Sequence, residues 1–582
     1  MATVNENVRY EPHENPPPFI ALGTGLQAAL VILAPVALTV VIVVRIAEES
    51  DSYLAWGVFA ALVVSGVTTV LQAARLGRIG SGHVLMMGTS GAFIAVCVAA
   101  LVTAGPATMA SLIVVSSLFQ FAMAARLSLL RRIFTPVVSG TVIMLIAATV
   151  MPIVFGMLTD VPEDASPTAA IVVAAATLVT VLGLVLRAPP RWRLWSPIIG
   201  IAVGCAVSAP LGLYNAQGVL DAAWVGVPLG AWPGFDLTPG AEFWALLPAF
   251  VIVTLVGAIE TIGDGVAIQR VSRRRPQATD FRVVQGALNA DGMGNLLSGL
   301  AGTLPNTTYS SSVALAEVTG IAARRVGVVI GVIIAVLAFL PKIAALLIAI
   351  PSPVAAAYIT VLLGLLFVQG MKIVIQDGVD HRKAAVAGVA FWVGTGFQNQ
   401  WIFADQLGDG FLSVLLGNGM TSGALVAVIM MLFMELTSAR RRRLTLALTT
   451  ESLPQLQEFL RGAAARAGWN DAATGRLVLV GEETMASLLA EDGERPEGAG
   501  ARRLVVTART DHAKSELEFV TGSEGENLED RLAYMGEMPD IADEREISFR
   551  LLRHYASSVR HQKYHGEDIV TVSVAGSSGT PT

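Results

Sequence analysis

Val251-Ile252-Val253-Thr254-Leu255-Val256-Gly257-Ala258-Ile259-Glu260-Thr261-Ile262-Gly263-Asp264 is a lipid-compatible helical run that ends on two carboxylates four residues apart. A helix places positions i and i+4 on one face, so Glu260 and Asp264 share a face inside an apolar segment. An ionisable group at membrane depth costs about 2.5–3.5 kcal/mol on insertion scales and normally faces a cavity, a partner or an ion path. Downstream, a basic loop (Arg270, Arg273, Arg274, Arg275) leads to Ala290-Asp291-Gly292-Met293-Gly294-Asn295. A polar break follows, Leu304-Pro305-Asn306-Thr307-Thr308-Tyr309-Ser310-Ser311-Ser312. Only about ten residues of helix-like sequence separate it from Arg324-Arg325, against the roughly 20 that span a bilayer. Transporters build substrate sites from such half-helices, each preceded by polar backbone at membrane depth.

Composition sets the frame for this reading. Of 582 residues, 54% are hydrophobic and 14% charged, with a mean hydropathy of +0.63. An ordinary soluble protein is excluded, and the bulk of the chain belongs in lipid. The net charge of −6 carries little information, because charge is distributed loop by loop. Cys97 and Cys205 lie in apolar runs and read as small buried hydrophobes; no disulfide framework is implied. Residues 1–18 form a polar tail ending Pro16-Pro17-Pro18, without the basic-then-apolar order of a signal peptide.

Apolar segments follow at about 19–44, 53–73, 84–104, 106–128, 135–156, 168–188, 195–213, 242–265, 281–300, 307–320, 325–348, 353–370, 384–403 and 411–434, fourteen in all. Loop charges give an independent check. With the N-terminus in the cytoplasm, even-numbered segments exit there, and those exits carry Arg75, Arg78, Arg126, Arg131, Arg132, Arg187, Arg191, Arg193, Arg270, Arg273–Arg275, Arg324, Arg325, Lys372, Arg382, Lys383 and Arg440–Arg443. The opposite loops carry Arg45 and Lys342 and otherwise acids: Asp160, Glu163, Asp164, Asp221, Asp236, Asp405 and Asp409. The positive-inside rule holds at every turn, which places both termini in the cytoplasm of a multi-pass cell-membrane protein.

Fourteen is twice seven. The third segment contains Met87-Gly88-Thr89-Ser90-Gly91-Ala92-Phe93 and the tenth contains Tyr309-Ser310-Ser311-Ser312-Val313-Ala314. These are equivalent positions in two halves of seven, and both carry a small, hydroxyl-rich break. An odd number of spans per half makes the repeats inverted, and paired interruptions point to a site at the midplane.

Glu260-Thr261-Ile262-Gly263-Asp264, Ala290-Asp291-Gly292-Met293-Gly294 and Pro305-Asn306-Thr307-Thr308-Tyr309, in that order and spacing, resemble the nucleobase–ascorbate transporter family. The resemblance covers about residues 19–434. It implies an all-α polytopic fold of seven-plus-seven inverted repeats, with a core domain (about 19–128 and 242–350) and a gate domain (about 135–213 and 353–434). It also implies a short strand and half-helix in each of segments three and ten. Substrate binding would fall to Glu260, Phe93, Ser90, Gly91, Ser311 and Ser312, and proton coupling to Glu260 and Asp264. Asp291 and Thr308 would have structural or coupling roles. Homodimerisation through segments around 168–188 and 353–370 follows from the same resemblance. No cofactor, metal or nucleic acid is implied; the partners are a small molecule, protons and lipid.

The family signature in the tenth segment, Gln/Glu-Asn-x-Gly, reads Ser311-Ser312-Val313-Ala314 here, and only the closing Thr319-Gly320 survives. A serine reaches less far than an amide and makes fewer bonds. Substrate identity is therefore open. Blander readings stand beside the functional ones. Glu260 could pair with a neighbouring helix, Asp264 could be solvated, and Asp291 could tie its helix to the core. Ser311 and Ser312 could cap the half-helix, and Glu317 could snorkel or pair with Arg324.

A basic linker, 435–443, precedes a charged region, 444–582, that lacks any spanning run. The expected order is strand 444–449, helices 453–467 and 471–491, strands 502–508 and 515–521, helices 526–534 and 543–558, and strand 568–574. That order resembles the ATP-binding fold of histidine kinases and anti-sigma-factor kinases. Ser487 stands in Glu483-Thr484-Met485-Ala486-Ser487 where that family has its magnesium-binding asparagine, and Thr521-Gly522-Ser523-Glu524-Gly525 lacks the aspartate of its glycine loop. A cytoplasmic α/β regulatory module, not an enzyme, is the expectation.

The leading function is a proton-coupled symporter for a nucleobase or a related planar heterocycle such as uracil or xanthine. The alternatives are an anion transporter of the sulfate-permease type, disfavoured by Glu260 and Asp264, and a transport-derived ligand sensor signalling through the tail. The topology is checked by thiol labelling. Cysteines replacing Glu163 and Val225 are expected to react with an impermeant reagent in intact cells, and one replacing Arg274 is not; labelling at 274 would overturn the assignment.

Overall fold

A computed structural model of the chain describes residues 5, 7–127, 135–162, 166–193, 195–228, 230–275, 277–375, 380–403, 416–417, 419–437, 441–492, 502–521, 551–565 and 567–576. The chain divides into two compact units, one of Glu6–Ser272 with Val283–Phe433, the other of Met1–Asn5, Arg273–Arg282 and Met434–Thr582. The loop charges Glu163, Asp164, Asp405, Asp409, Arg131, Arg132 and Arg440, the loop 522–525 and the expected helices over 526–534 and 543–550 lie outside the described residues.

The larger unit is helical. Its elements are α1 (Pro18–Ile46), α2 (Asp51–Ala74), β1 (Met87–Thr89), α3 (Ile94–Ala125), α4 (Pro136–Gly156), α5 (Pro167–Arg187), α6 (Ser196–Ser208), α7 (Ala241–Val271), α8 (Phe281–Ala301), β2 (Asn306–Thr308), α9 (Ser311–Thr319), α10 (Arg324–Ala338), α11 (Pro341–Ile348), α12 (Ser352–Ile375), α13 (His381–Gln398) and α14 (Gly419–Thr437). Eight described helices are long and apolar enough to cross a bilayer, and the α10–α11 pair, bent by 85°, makes a ninth if it counts as one span. Pro341 opens α11 at a helix start, where its missing N–H costs nothing. The expected segments 84–104 and 106–128 meet inside α3 at Gly105, whose φ of 79° breaks the helix just before Pro106. Polar α8 does not qualify on hydropathy, because Gln285, Asp291, Asn295 and Ser298 are buried against protein and not lipid.

β1 and β2 pair antiparallel, with Met87 opposite Thr308, Gly88 opposite Thr307 and Thr89 opposite Asn306. Ser90 N–H donates to the Pro305 carbonyl at 2.8 Å and Tyr309 N–H to the Met86 carbonyl at 2.9 Å, which extends the pair at both ends. Each strand leads into a helix, β1 through a turn at Gly91–Phe93 into α3, and β2 into the nine-residue α9.

Loop contacts sort the ends of the helices. Arg45 donates to the Ile348 carbonyl, Lys342 to the carbonyls of Val219 and Leu220, and Ser352 to Asp160. At another set of loops, Tyr10 bridges Ile321 and Asn289 donates to the Arg78 carbonyl. Glycines set the closest helix crossings. A Cβ on Gly66 of α2 would stand 2.6 Å from the Gly331 carbonyl oxygen of α10. One on Gly370 of α12 would stand 2.7 Å from the Gly140 carbonyl oxygen of α4.

The smaller unit is a five-stranded antiparallel sheet in the order β3-β4-β5-β7-β6: β3 (Arg442–Ala447), β4 (Arg503–Thr510), β5 (Lys514–Thr521), β6 (Ser558–Tyr564) and β7 (Glu567–Ala575). Alternate residues Leu504, Val506, Leu517, Phe519, Val570 and Val572 share a hydrophobic core with Leu456 and Leu460 of α15 (Leu453–Arg466) and Leu477 and Met485 of α16 (Asp471–Asp492). Arg442 and Arg443 begin the first strand and are not part of a free linker. β6 was not expected from sequence, because two of the three residues it buries are polar, His561 and Lys563 at 1% and 6% exposed, and no apolar alternation marks the strand. The segment Arg273–Arg282 belongs to this unit, with Phe281 stacked on Tyr564 at 5.0 Å between ring centroids.

The Gly66–Gly331 crossing gives a stability test. Gly66→Ala forces α2 and α10 apart, and overpacking of this kind costs about 1–3 kcal/mol. Its melting temperature in mild detergent is expected to fall clearly, whereas Gly364→Ala, where an added Cβ meets nothing within 4 Å, leaves it unchanged. Equal melting of the two variants would show that the crossing is looser than described.

Candidate functional site

The paired strands bring α3, α7, α8 and α9 to one polar cluster. On α7, Thr261 and Asp264 are buried and Glu260 is half-buried. Asp264 is 1% exposed and accepts hydrogen bonds on both oxygens: from Ser310 Oγ to Oδ1 and from Thr308 Oγ1 to Oδ2, each at 2.7 Å. Asp291 of α8 is also 1% exposed; its Oδ2 accepts from Gln120 Nε2 of α3 at 2.6 Å and from Thr261 Oγ1 at 2.7 Å. Thr308 Oγ1 lies 3.3 Å from Thr261 Oγ1, so one hydroxyl chain runs from Asp264 to Asp291. A second chain continues from Gln120 Oε1 to Asn295 Nδ2 at 2.7 Å, and Asn295 Oδ1 accepts the Asn306 N–H of β2 at 2.7 Å.

Neutral groups make all of these bonds. Among the described residues no lysine, arginine or histidine pairs with Glu260, Asp264 or Asp291. Glu260 has no hydrogen-bond partner among the described residues, yet it is close enough to Asp264, Asp291 and Tyr309 to interact with them electrostatically. Asp291 Oδ1 likewise has no partner among the described residues and is buried. Among them too, no group of three or more His, Cys, Asp or Glu is arranged to hold a metal ion.

The other residues named from sequence fall around this cluster. Phe93 is buried, 6.2 Å from Phe250 between ring centroids, and lies 3.7 Å from the Cβ direction of Gly257, about one turn before Glu260. Ser90 is buried and its hydroxyl has no partner among the described residues. A Cβ on Gly91 would meet nothing within 4 Å, so the space in front of it is open. Ser311 is half-buried and free of hydrogen bonds through its side chain among the described residues. Ser312 is occupied differently: its hydroxyl donates to the Tyr309 carbonyl at 2.6 Å and accepts the Met86 N–H at 2.8 Å, tying the two interrupted segments together. Asp291 ties α8 to α3 and α7, while Arg282 pairs with Asp280. Glu317 is exposed.

Sequence reading missed Thr261, Ser310, Gln120, Asn295 and Gln369. Gln120 and Gln369 did carry a signal, a lone carboxamide in an otherwise apolar helix. Ser310 sits beside the two serines that were named; only the backbone turn at the start of α9 decides which serine meets Asp264.

Three comparisons bear on this arrangement. The permease-family profile Xan_ur_permease matches residues 20–401. A putative purine permease of Clostridium perfringens is 28% identical over 375 residues, covering 64% of this chain and 80% of that protein. The xanthine permease XanP of Escherichia coli strain K12 is 25% identical over 450 residues, covering 74% of this chain and 95% of that protein. Among solved structures, the transmembrane domain of the cyanobacterial bicarbonate transporter BicA aligns with 72% of this chain and 99% of its own at 16% identity and a TM-score of 0.43. Two buried carboxylates held by neutral donors, a third beside them, two interrupted helices and a family match across residues 20–401 converge: the chain is a multi-pass membrane protein of the xanthine/uracil-type permease family, a transporter and not an enzyme.

Proposed function

We propose that the chain is a secondary active transporter that moves a nucleobase or a related planar heterocycle, such as uracil or xanthine, together with a proton across the cell membrane. The observation that carries this reading is Glu260, a half-buried carboxylate with no partner among the described residues, about one turn beyond Gly257, where the ring of Phe93 packs; the space at Gly91, in the same turn as Phe93, is open. A heterocycle edge offers N–H and C=O groups side by side. Protonated, Glu260 donates one hydrogen bond and accepts others; ionised, it only accepts. Phe93 supplies an aromatic edge or face for the planar ring. The relatives named as xanthine and purine permeases support this substrate class.

Proton coupling follows from charge. Carrying a bare carboxylate through a low-dielectric barrier is costly, whereas a site holding proton and substrate together is neutral. Asp264 is the second proton-handling group in this scheme, and the Thr308–Thr261 hydroxyls link it to Asp291.

The scheme assumes fourteen segments in two inverted halves of seven. Several contacts support that symmetry. The strands of the third and tenth segments pair with each other, the fifth segment crosses the twelfth at Gly140 and Gly370, and the second crosses the eleventh at Gly66 and Gly331 as the ninth crosses the fourth at Gly299 and Val114. The core would comprise α1–α3 and α7–α11, and the gate α4–α6 and α12–α14. Both termini would be cytoplasmic, with the tail as a regulatory module. A homodimer would form through α5 and α12, whose exposed Ile171, Val179, Leu186 and Leu365 face lipid or a second copy.

The test is Glu260→Gln, which keeps shape and some hydrogen bonding but does not titrate. In proteoliposomes with an imposed pH gradient it is expected to abolish concentrative uptake of labelled xanthine and uracil. Any residual binding should lose its pH dependence, while Glu317→Gln retains most activity. Wild-type accumulation by Glu260→Gln would refute the mechanism.

A further inference from the structure

Gln369 is a carboxamide on α12 within the apolar run Leu362-Leu363-Gly364-Leu365-Leu366-Phe367-Val368 and Ile373-Val374-Ile375. A carboxamide in such surroundings is costly unless it is hydrogen-bonded. Its Nε2 lies 3.1 Å from Ser310 Oγ, and Ser310 in turn donates to Asp264 Oδ1 at 2.7 Å. Gly370, the next residue, is where α12 crosses α4 at its closest, so the backbone that carries the carboxamide is fixed. Gln369 Oε1 has no hydrogen-bond partner among the described residues.

We propose that Gln369 is a positioning residue through which α12 senses whether Asp264 carries a proton, by reversal of the Gln369–Ser310–Asp264 hydrogen-bond chain. The proposal rests on the transport reading above and adds to it the device by which the gate helix follows the state of the site.

The direction of the chain follows from donor counting. Ser310 has one proton. While Asp264 is ionised, that proton goes to Oδ1, so Ser310 can only accept from Gln369, and the NH2 side of the carboxamide must face it. When Asp264 holds a proton on Oδ1, it becomes the donor to Ser310. Ser310 then needs an acceptor for its own proton, and the Gln369 carbonyl provides one when the carboxamide turns over. On the other oxygen no comparable turn is needed, because Thr308 can redirect its proton to Thr261 Oγ1 at 3.3 Å. Gln369 is thus the flexible end of the network and lies on a different element from the carboxylates.

The charged surroundings permit such a switch. The titratable groups acting on Asp264 are Glu260 on its own helix and Asp291 on α8. The helices α3 and α4, which also pack on α7, carry no Asp, Glu, Lys, Arg or His. Glu317 of α9 and Lys372 of α12 are exposed. Among the described residues no fixed cation locks Asp264 in one state.

Two measurements on the full-length chain test the proposal. In pH-difference infrared spectra of purified protein without ligand, a carboxyl band that Asp264→Asn removes is expected. Gln369→Leu should displace that band and remove an accompanying carboxamide signal, Ser310→Ala should do the same, and the double variant should go no further. In proteoliposomes, proton-driven uptake of labelled xanthine by Gln369→Leu should fall about tenfold in Vmax, with its pH midpoint moved by about one unit and KM little changed, as expected when a hydrogen bond serving a charged group is lost. A purely structural role would lower the amount of folded protein and leave the midpoint and the band where they are. An unmoved band in Gln369→Leu overturns the proposal whatever the substrate. Failure of the wild-type protein to take up xanthine or uracil overturns the transport reading instead, and the infrared result still decides the role of Gln369.

Discussion

Water is absent from the hydrocarbon layer, so every backbone N–H and C=O that a broken helix exposes there must find a partner within the protein. The paired strands β1 and β2 answer that constraint. Two helices interrupted at the same level leave two extended segments, and each supplies the donors and acceptors that the other lacks. Ser312 adds a side-chain tie between them, and Tyr309 donates its hydroxyl to the Thr89 carbonyl at 3.0 Å. Once the strands pair, the starts of α3 and α9 are fixed, and the polar side chains that follow them are delivered to α7.

Neutral partners around the carboxylates suit the proton coupling proposed above. A lysine or arginine beside Asp264 or Asp291 would hold the carboxylate ionised. The actual partners are hydroxyls and carboxamides, which exchange donor and acceptor roles by rotating. β2 is the hub of this arrangement. Its alternate residues Asn306 and Thr308 reach Asn295 and Asp264, so α8 and α7 are held by the same three-residue strand. Leaving one of these buried groups without its partner costs about 1–3 kcal/mol, which makes the network a structural element as well as a chemical one.

The smaller unit obeys different rules. Its sheet and two helices share an apolar core, with burial alternating along β4 and β5. In β6 the inward positions hold His561 and Lys563, with His561 3.6 Å from Asp568 of β7. Pattern reading works where burial selects apolar residues and fails where polar residues occupy the inward positions.

The sequence by itself determined that this chain spans a membrane, where most helices begin and end, and that the stretches 87–93 and 306–314 interrupt helical segments. Those features depend on local composition, and lipid tests composition residue by residue. It also isolated Glu260, Asp264 and Asp291, because a carboxylate in an apolar run stands out. Only the tertiary structure decided which neutral groups meet those carboxylates. Serines 310, 311 and 312 are indistinguishable as a string, but the turn into α9 sends the first to Asp264, leaves the second free and uses the third to join the strands. Gln120 and Gln369 lie 171 and 59 residues from Asp291 and Ser310, their partners in these bonds. Contacts over that separation depend on how helices cross, and close crossings such as Gly140 with Gly370 require both partners to be in place.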